Sequence, residues 1–142
     1  MKTLILALAF LGLQARAPNL DSVEIQTIHV QGNVYMLVGA GANITLQVGN
    51  DGVFLVDTQY EQLAPKIVAS IRKLSNKPIF WIVNTHIDAD HIGGNDALPR
   101  LANGVTRQNV RIIAHENIPN GMSAAGRGVE PMVPGKLWAN DE

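Results

Sequence analysis

The segment Asn84-Thr85-His86-Ile87-Asp88-Ala89-Asp90-His91-Ile92-Gly93-Gly94-Asn95 carries four potential metal ligands, His86, Asp88, Asp90 and His91, within six residues. It follows directly on Ile79-Phe80-Trp81-Ile82-Val83, a continuous apolar run of the kind found in strands buried on both faces. Loops at the C-terminal ends of such strands are where α/β sheets place their sites. Two carboxylates two residues apart repel unless a cation or a proton relieves them. Imidazole mixed with carboxylate is a ligand set for Zn²⁺ or a related first-row metal. The plainer alternative is a solvated loop whose polar groups cap the next helix.

Upstream of this loop the pattern has period two. Val23–Val30 alternates and predicts a first strand, Gly32-Asn33 a turn, and Val34–Val38 a second strand. Gly39-Ala40-Gly41-Ala42-Asn43 reads as a flexible turn. Ile44–Val48 and Val53–Val56 read as a hairpin closed by Gly49-Asn50-Asp51-Gly52. The period then changes. Ala64, Ile67, Val68, Ile71 and Leu74 recur at helical spacing, which predicts a helix from about Gln62 to Ser75 with Pro65 tolerated early and Asn76-Lys77-Pro78 as its stop. Downstream, Asp96–Ala102 predicts a short helix with Asn95 as its N-cap, and Val110–Ala114 a buried strand. Residues 117–135, rich in Pro and Gly, predict irregular structure. The fold class is α/β (α+β), a sheet with an antiparallel edge whose later strands are linked through helices.

The chain has 142 residues, 46% hydrophobic and 16% charged, with net charge −1 and no Cys. The charge excludes the electrostatic footprint of a nucleic-acid binder. The lack of Cys excludes disulfides and a thiolate nucleophile or ligand. The start, MKTLILALAFLGLQARA, has basic Lys2, an apolar run from Leu4 to Leu13 and Ala15-Arg16-Ala17 as a small-residue cleavage site. That predicts a signal peptide over residues 1–17 and a domain over 18–142 in the periplasm or outside the cell. The run is too short for a membrane span of about 20 residues, so no membrane attachment is expected after cleavage.

The metal-loop segment resembles the signature of the metallo-β-lactamase-fold superfamily, in which a buried strand ends in Asn-Thr-His and enters an H-x-H-x-D-H motif followed by Gly-Gly. His86, Asp90, His91 and Gly93-Gly94 match it. Val53-Phe54-Leu55-Val56-Asp57 is similar to the family's earlier strand motif, and Ile112-Ile113-Ala114-His115-Glu116 to its next strand. The resemblance runs from about Gln26 to Glu116. It implies the N-terminal half of an αββα sandwich with a zinc site at one end of its sheets. His86 would ligate a first metal, Asp90 and His91 a second, and Asp57 would support the loop by hydrogen bonding. The implied activity is hydrolysis of a small-molecule ester, thioester, lactone, amide or β-lactam through a metal-bound hydroxide, with Asp90 orienting the water or accepting its proton.

Two departures qualify the match. The middle histidine of the motif is Asp88 here. A carboxylate still binds Zn²⁺, but its charge lowers Lewis acidity and shifts preference toward Mn²⁺ or Fe, or leaves the first site weak. The family's later His and acidic ligands have no counterpart, because the acids after His115 are Glu116, Glu130, Asp141 and Glu142 with no further His. The domain therefore reads as truncated at its C-terminus, and its site as one completed by a missing C-terminal half or by a homodimer. The alternative function is a catalytically inactive or incomplete metal-binding half-domain.

The remaining polar residues invite plainer readings. His115 reads as a hydrogen-bonded residue at a strand end, with a place in the site wall as the alternative, and His29 as structural. Gly39 and Gly41 precede a strand rather than a helix and so read as a turn, not a phosphate loop. No G-x-S-x-G nucleophile elbow occurs. Phe80 and Trp81 read as core, Trp138 as a chain-end residue, and Lys66, Arg72, Lys73 and Lys77 as a solvated helix face.

Overall fold

A computed structural model describes residues 19–104 and 110–115. The signal peptide expected over 1–17, the irregular segment 117–135, Glu116 and Trp138 lie outside the described residues. Six strands form one sheet: β1 (Gln26–Gln31), β2 (Val34–Val38), β3 (Ile44–Val48), β4 (Val53–Val56), β5 (Ile79–Asn84) and β6 (Arg111–Ala114). They lie side by side in chain order. β1 to β4 are antiparallel, and β4, β5 and β6 are parallel. That is the predicted change of period made physical. Hairpins need only short turns, whereas each parallel step requires a crossover. α1 (Ala64–Arg72), entered through a 3₁₀ turn at Glu61–Leu63, makes the first crossover. α2 (Ala89–Ile92) and α3 (Ala97–Asn103) lie within the second.

Alternation puts Leu37, Ile44, Leu46, Leu55, Ile82 and Ile112 on one face of the sheet, the irregular β4–β5 register adds Ile79, and all bury completely with Ile67 and Ile71 of α1 and Leu98 of α3. Burying a Leu or Ile side chain contributes roughly 1.5–3 kcal/mol, so this face is the main source of stability.

The opposite face differs from expectation. β5 is buried on one side only. Trp81 is 37% exposed and Phe80 half-buried, so neither is a core residue. The pairings Phe54↔Trp81, Val56↔Val83 and Val83↔Ile113 line up an apolar stripe there. The guanidinium carbon of Arg111 stands 5.3 Å from the Trp81 ring centroid, within cation–π range. A continuous apolar run signals that both faces can be covered, not that both are.

The first strand also shifts. β1 begins at Gln26 rather than Val23, and all six of its residues are exposed. Its pairing with β2 is irregular between His29 and Gln31, a bulge that breaks the period-two rule at an edge. Val23 and Ile25 still pack on the core from ahead of the strand.

Of the cations expected on a solvated face, Lys73 is exposed, whereas Lys66, Arg72 and Lys77 are clips on backbone carbonyls. Lys66 Nζ donates to the carbonyls of Asp21 (2.6 Å) and Val23 (2.7 Å). Arg72 donates to those of Ser75, Lys77 and Ala102, and Lys77 Nζ to those of Gly49 and Asn50. Those carbonyls lie outside the sheet ladders and need donors from elsewhere. His29 is structural as expected, its Nε2 lying 2.9 Å from the carbonyl of Gly32 in the β1–β2 turn.

Candidate metal centre

The parallel strands deliver their C-terminal ends to one edge of the sheet. Asp57 follows β4, Thr85 follows β5, and His115 follows β6 at an exposed position. The loop after β5 is closed by its own ends. Asn84 and Asn95, both buried, exchange side-chain amide hydrogen bonds of 3.1 and 2.8 Å. Asn95 is thus not the helix cap expected from the sequence. α3 starts after Asp96 without a side-chain cap, while Asn95 Oδ1 accepts from Asn84 and from Thr58 Oγ1 at 3.0 Å.

Residues 57–59 clamp the loop from the other side. Thr58 N donates to the His91 carbonyl at 2.8 Å, and Gly94 N donates to the Gln59 carbonyl at 2.9 Å. A side chain at Gly94 would run into the Thr58 carbonyl, which explains the second glycine of the motif. Asp57 and Gln59 both hold left-handed backbone, with φ of 62° and 54°. Non-glycine residues adopt that region at a cost that the surrounding contacts must offset.

The Asp57 carboxylate organises both histidines. Oδ1 accepts from Thr85 N at 2.8 Å, and Oδ2 accepts from Thr85 Oγ1 and from His91 Nδ1, each at 2.7 Å. Thr85 has one hydroxyl proton and gives it to Asp57. Its oxygen, 3.2 Å from His86 Nδ1, therefore accepts from that nitrogen. This network assigns both imidazoles the Nδ1–H tautomer and leaves both Nε2 lone pairs free. The two rings lie close and tilted, with centroids 3.6 Å apart and planes at 48°.

Each Nε2 faces a carboxylate. His86 Nε2 is 3.3 Å from Asp88 Oδ2, and His91 Nε2 is 3.8 Å from Asp90 Oδ2. Two tetrahedral zinc ligands bonded at about 2.0–2.2 Å lie roughly 3.3–3.6 Å apart. Each pair therefore has close to the span of one edge of a coordination sphere. Among the described residues no group of three or more His, Asp or Glu is placed to hold one metal ion. The loop brings its four donors together as two pairs, not as one cage. Asp88 and His86 are open to solvent, whereas Asp90 and His91 are recessed, with side chains 25% and 19% exposed.

The family model of the metallo-beta-lactamase superfamily matches residues 31–135. The chain belongs to that superfamily. A linear primary-alkylsulfatase of a Pseudomonas species is 36% identical over 84 residues, which cover 58% of this chain and 16% of that protein. Among solved structures, a Cronobacter sakazakii metallo-beta-lactamase described by its HARLDQ motif superposes with a TM-score of 0.58 at 24% identity, over 72% of this chain and 38% of the other. A B3 metallo-beta-lactamase described as having an active-site glutamic acid superposes with a TM-score of 0.57 at 31% identity, over 68% of this chain and 35% of the other. The chain thus spans well under half the length of these relatives. The superfamily resemblance drawn from the motif holds, and so does the α/β class. The sequence did not point to Thr58 or Gln59 as parts of the site, because a backbone clamp has no side-chain motif.

Proposed function

We propose that this chain is the ligand-bearing N-terminal part of a zinc-dependent metallo-β-lactamase-superfamily hydrolase that cleaves a small-molecule ester, thioester, lactone or β-lactam. The observation that supports it best is the Asp57–Thr85 network, which aims the Nε2 atoms of His86 and His91 outward beside Asp88 and Asp90. An imidazole fixed at Nδ1, by a carboxylate at His91 and by a hydroxyl held on that carboxylate at His86, is how proteins prepare a metal-binding histidine. His86 and Asp88 would hold one metal, Asp90 and His91 another, with Zn²⁺ favoured and Mn²⁺ or Fe accessible to the His86–Asp88 pair. When bound, such a metal would supply Lewis acidity and make water a nucleophile at neutral pH. Asp90 would orient the attacking water or accept its proton on a carboxylate oxygen. The remaining ligands come from outside the described residues, in a C-terminal half of the sandwich or in a second copy of the chain.

Asp88 is compatible with this reading. The HARLDQ motif of the Cronobacter relative carries Arg at its third position, the second after its leading His, as Asp88 is second after His86, and the B3 relative is described with an active-site glutamic acid. The alkylsulfatase relative adds sulfate esters to the substrate classes. A second reading, a metal-binding half-domain without turnover, draws on the arrangement of donors as two pairs. The test is zinc content of the purified chain together with hydrolysis of an alkyl sulfate, a p-nitrophenyl ester and a cephalosporin. Zinc with turnover that His91→Ala abolishes supports the hydrolase. Zinc without turnover supports the half-domain, and no zinc contradicts both.

A further inference from the structure

We infer that Gly41, in the turn between β2 and β3, is a positioning residue for the Asp90 carboxylate; this deepens the metal reading above and rests on it. Asp57 is held by three hydrogen bonds, but Asp90 has no comparable support among the described residues. The polar group recorded beside its carboxylate is His91 Nε2, at 3.8 Å. What confines it is the backbone of residue 41. A Cβ at that position would lie 2.5 Å from Asp90 Cβ, 2.7 Å from Oδ2 and 3.0 Å from Cγ. Separations under 3.0 Å are not tolerated by real side chains, so something must move. The nearest atom met, Asp90 Cβ, is fixed by the backbone, so a rotamer change alone does not relieve the contact, and the next, Oδ2, is the oxygen that faces His91. Gly41 also holds φ of 75°, so the turn approaches Asp90 in a backbone conformation that glycine alone adopts without cost. A side chain at position 41 pushes the turn and residue 90 apart, and the Asp90 carboxylate moves with its Cβ from its place beside His91.

Gly32 supplies the matched control. It holds φ of 55° in another turn, and a Cβ there meets nothing within 4 Å. Cobalt(II) titration, followed by its visible absorbance and by zinc competition, is made on the full chain and on Gly41→Ala, Gly41→Asn, Gly32→Ala, Gly32→Asn and His91→Ala. Asn tolerates left-handed backbone, so Gly41→Asn separates the steric contact from backbone strain. The Gly41 variants are expected to bind about 10–100-fold more weakly, as for other residues that orient a ligand, and the Gly32 variants within about twofold of the parent. Equal losses at both glycines, or none at Gly41, overturn the inference while a loss in His91→Ala leaves the metal reading standing. Metal binding unchanged in His91→Ala overturns both. The double variant Gly41→Ala with Asp90→Gly adds a readout independent of metal. It is expected to regain the Tm lost in Gly41→Ala, and no recovery overturns the contact.

Discussion

His91 donates its Nδ1 proton to Asp57 Oδ2 across 2.7 Å, linking positions 34 residues apart in sequence. The bond fixes which nitrogen of the imidazole stays available, and so connects the end of β4 to the chemistry of the loop after β5. The same carboxylate holds Thr85, and through it His86. One buried acid therefore sets the orientation of both histidines.

Asp57→Asn tests this arrangement. Asn tolerates the φ of 62° at this position, so the backbone stays in place. It retains only one acceptor oxygen, where Asp57 uses two, and turns its NH₂ toward a donor. Zinc binding is expected to weaken by about 10–100-fold, and stability by about 1–3 kcal/mol. Zinc competition and urea denaturation measure the two effects. Unchanged affinity contradicts the orienting role.

Asp88→His restores the family motif at an open position. Asp88 is 69% exposed at its side chain, so an imidazole has room beside His86. The variant removes one negative charge and supplies a nitrogen ligand. Zinc affinity is expected to rise by about tenfold or more, in line with the preference of zinc for nitrogen ligands. Isothermal titration reads the change, and no gain means that His86 and residue 88 do not share a metal.

Asn95→Leu removes the amide that closes the loop. It leaves the buried Asn84 Oδ1 without its donor, while Asn84 Nδ2 and Thr58 Oγ1 keep the His91 carbonyl as acceptor. The expected cost is about 1–3 kcal/mol from the orphaned oxygen, read as a lowered Tm. A stability within about 0.5 kcal/mol of the parent, the range of a neutral surface change, contradicts the account of loop closure.

The loop after β5, with His86, Asp88, Asp90 and His91 together on it, was readable in sequence because the superfamily motif places particular side chains at particular spacing. The hairpin of β3 and β4 was readable because its turn residues are specified, as were the parallel strands flanking the helices. Asn95 was misread because an Asn ahead of a helix signals a cap, whereas the Asn84 amide competes for it in space. Trp81 was misread because apolar character reports what a face tolerates. The cationic clips at Lys66, Arg72 and Lys77 were invisible because their acceptors are backbone carbonyls, which every residue carries. Gly41 was read only as a turn residue, since its neighbour Asp90 lies 49 positions away.

Lys66→Met separates scaffold from site. The stem survives, but the bonds to the carbonyls of Asp21 and Val23 are lost. Stability is expected to fall by about 1–2 kcal/mol, the partly exposed setting keeping it below a buried charged bond. Zinc affinity is expected to stay unchanged. A loss of zinc binding with the fold intact contradicts the assignment of Lys66 to the scaffold.

The most direct measurement is zinc per chain, by elemental analysis of the purified protein and of His91→Ala after extensive dialysis. The account predicts about one zinc or more per parent chain and almost none in the variant, as removal of one donor from a recessed pair requires. A parent chain without zinc, or equal zinc in both, contradicts the reading of the loop as a metal centre.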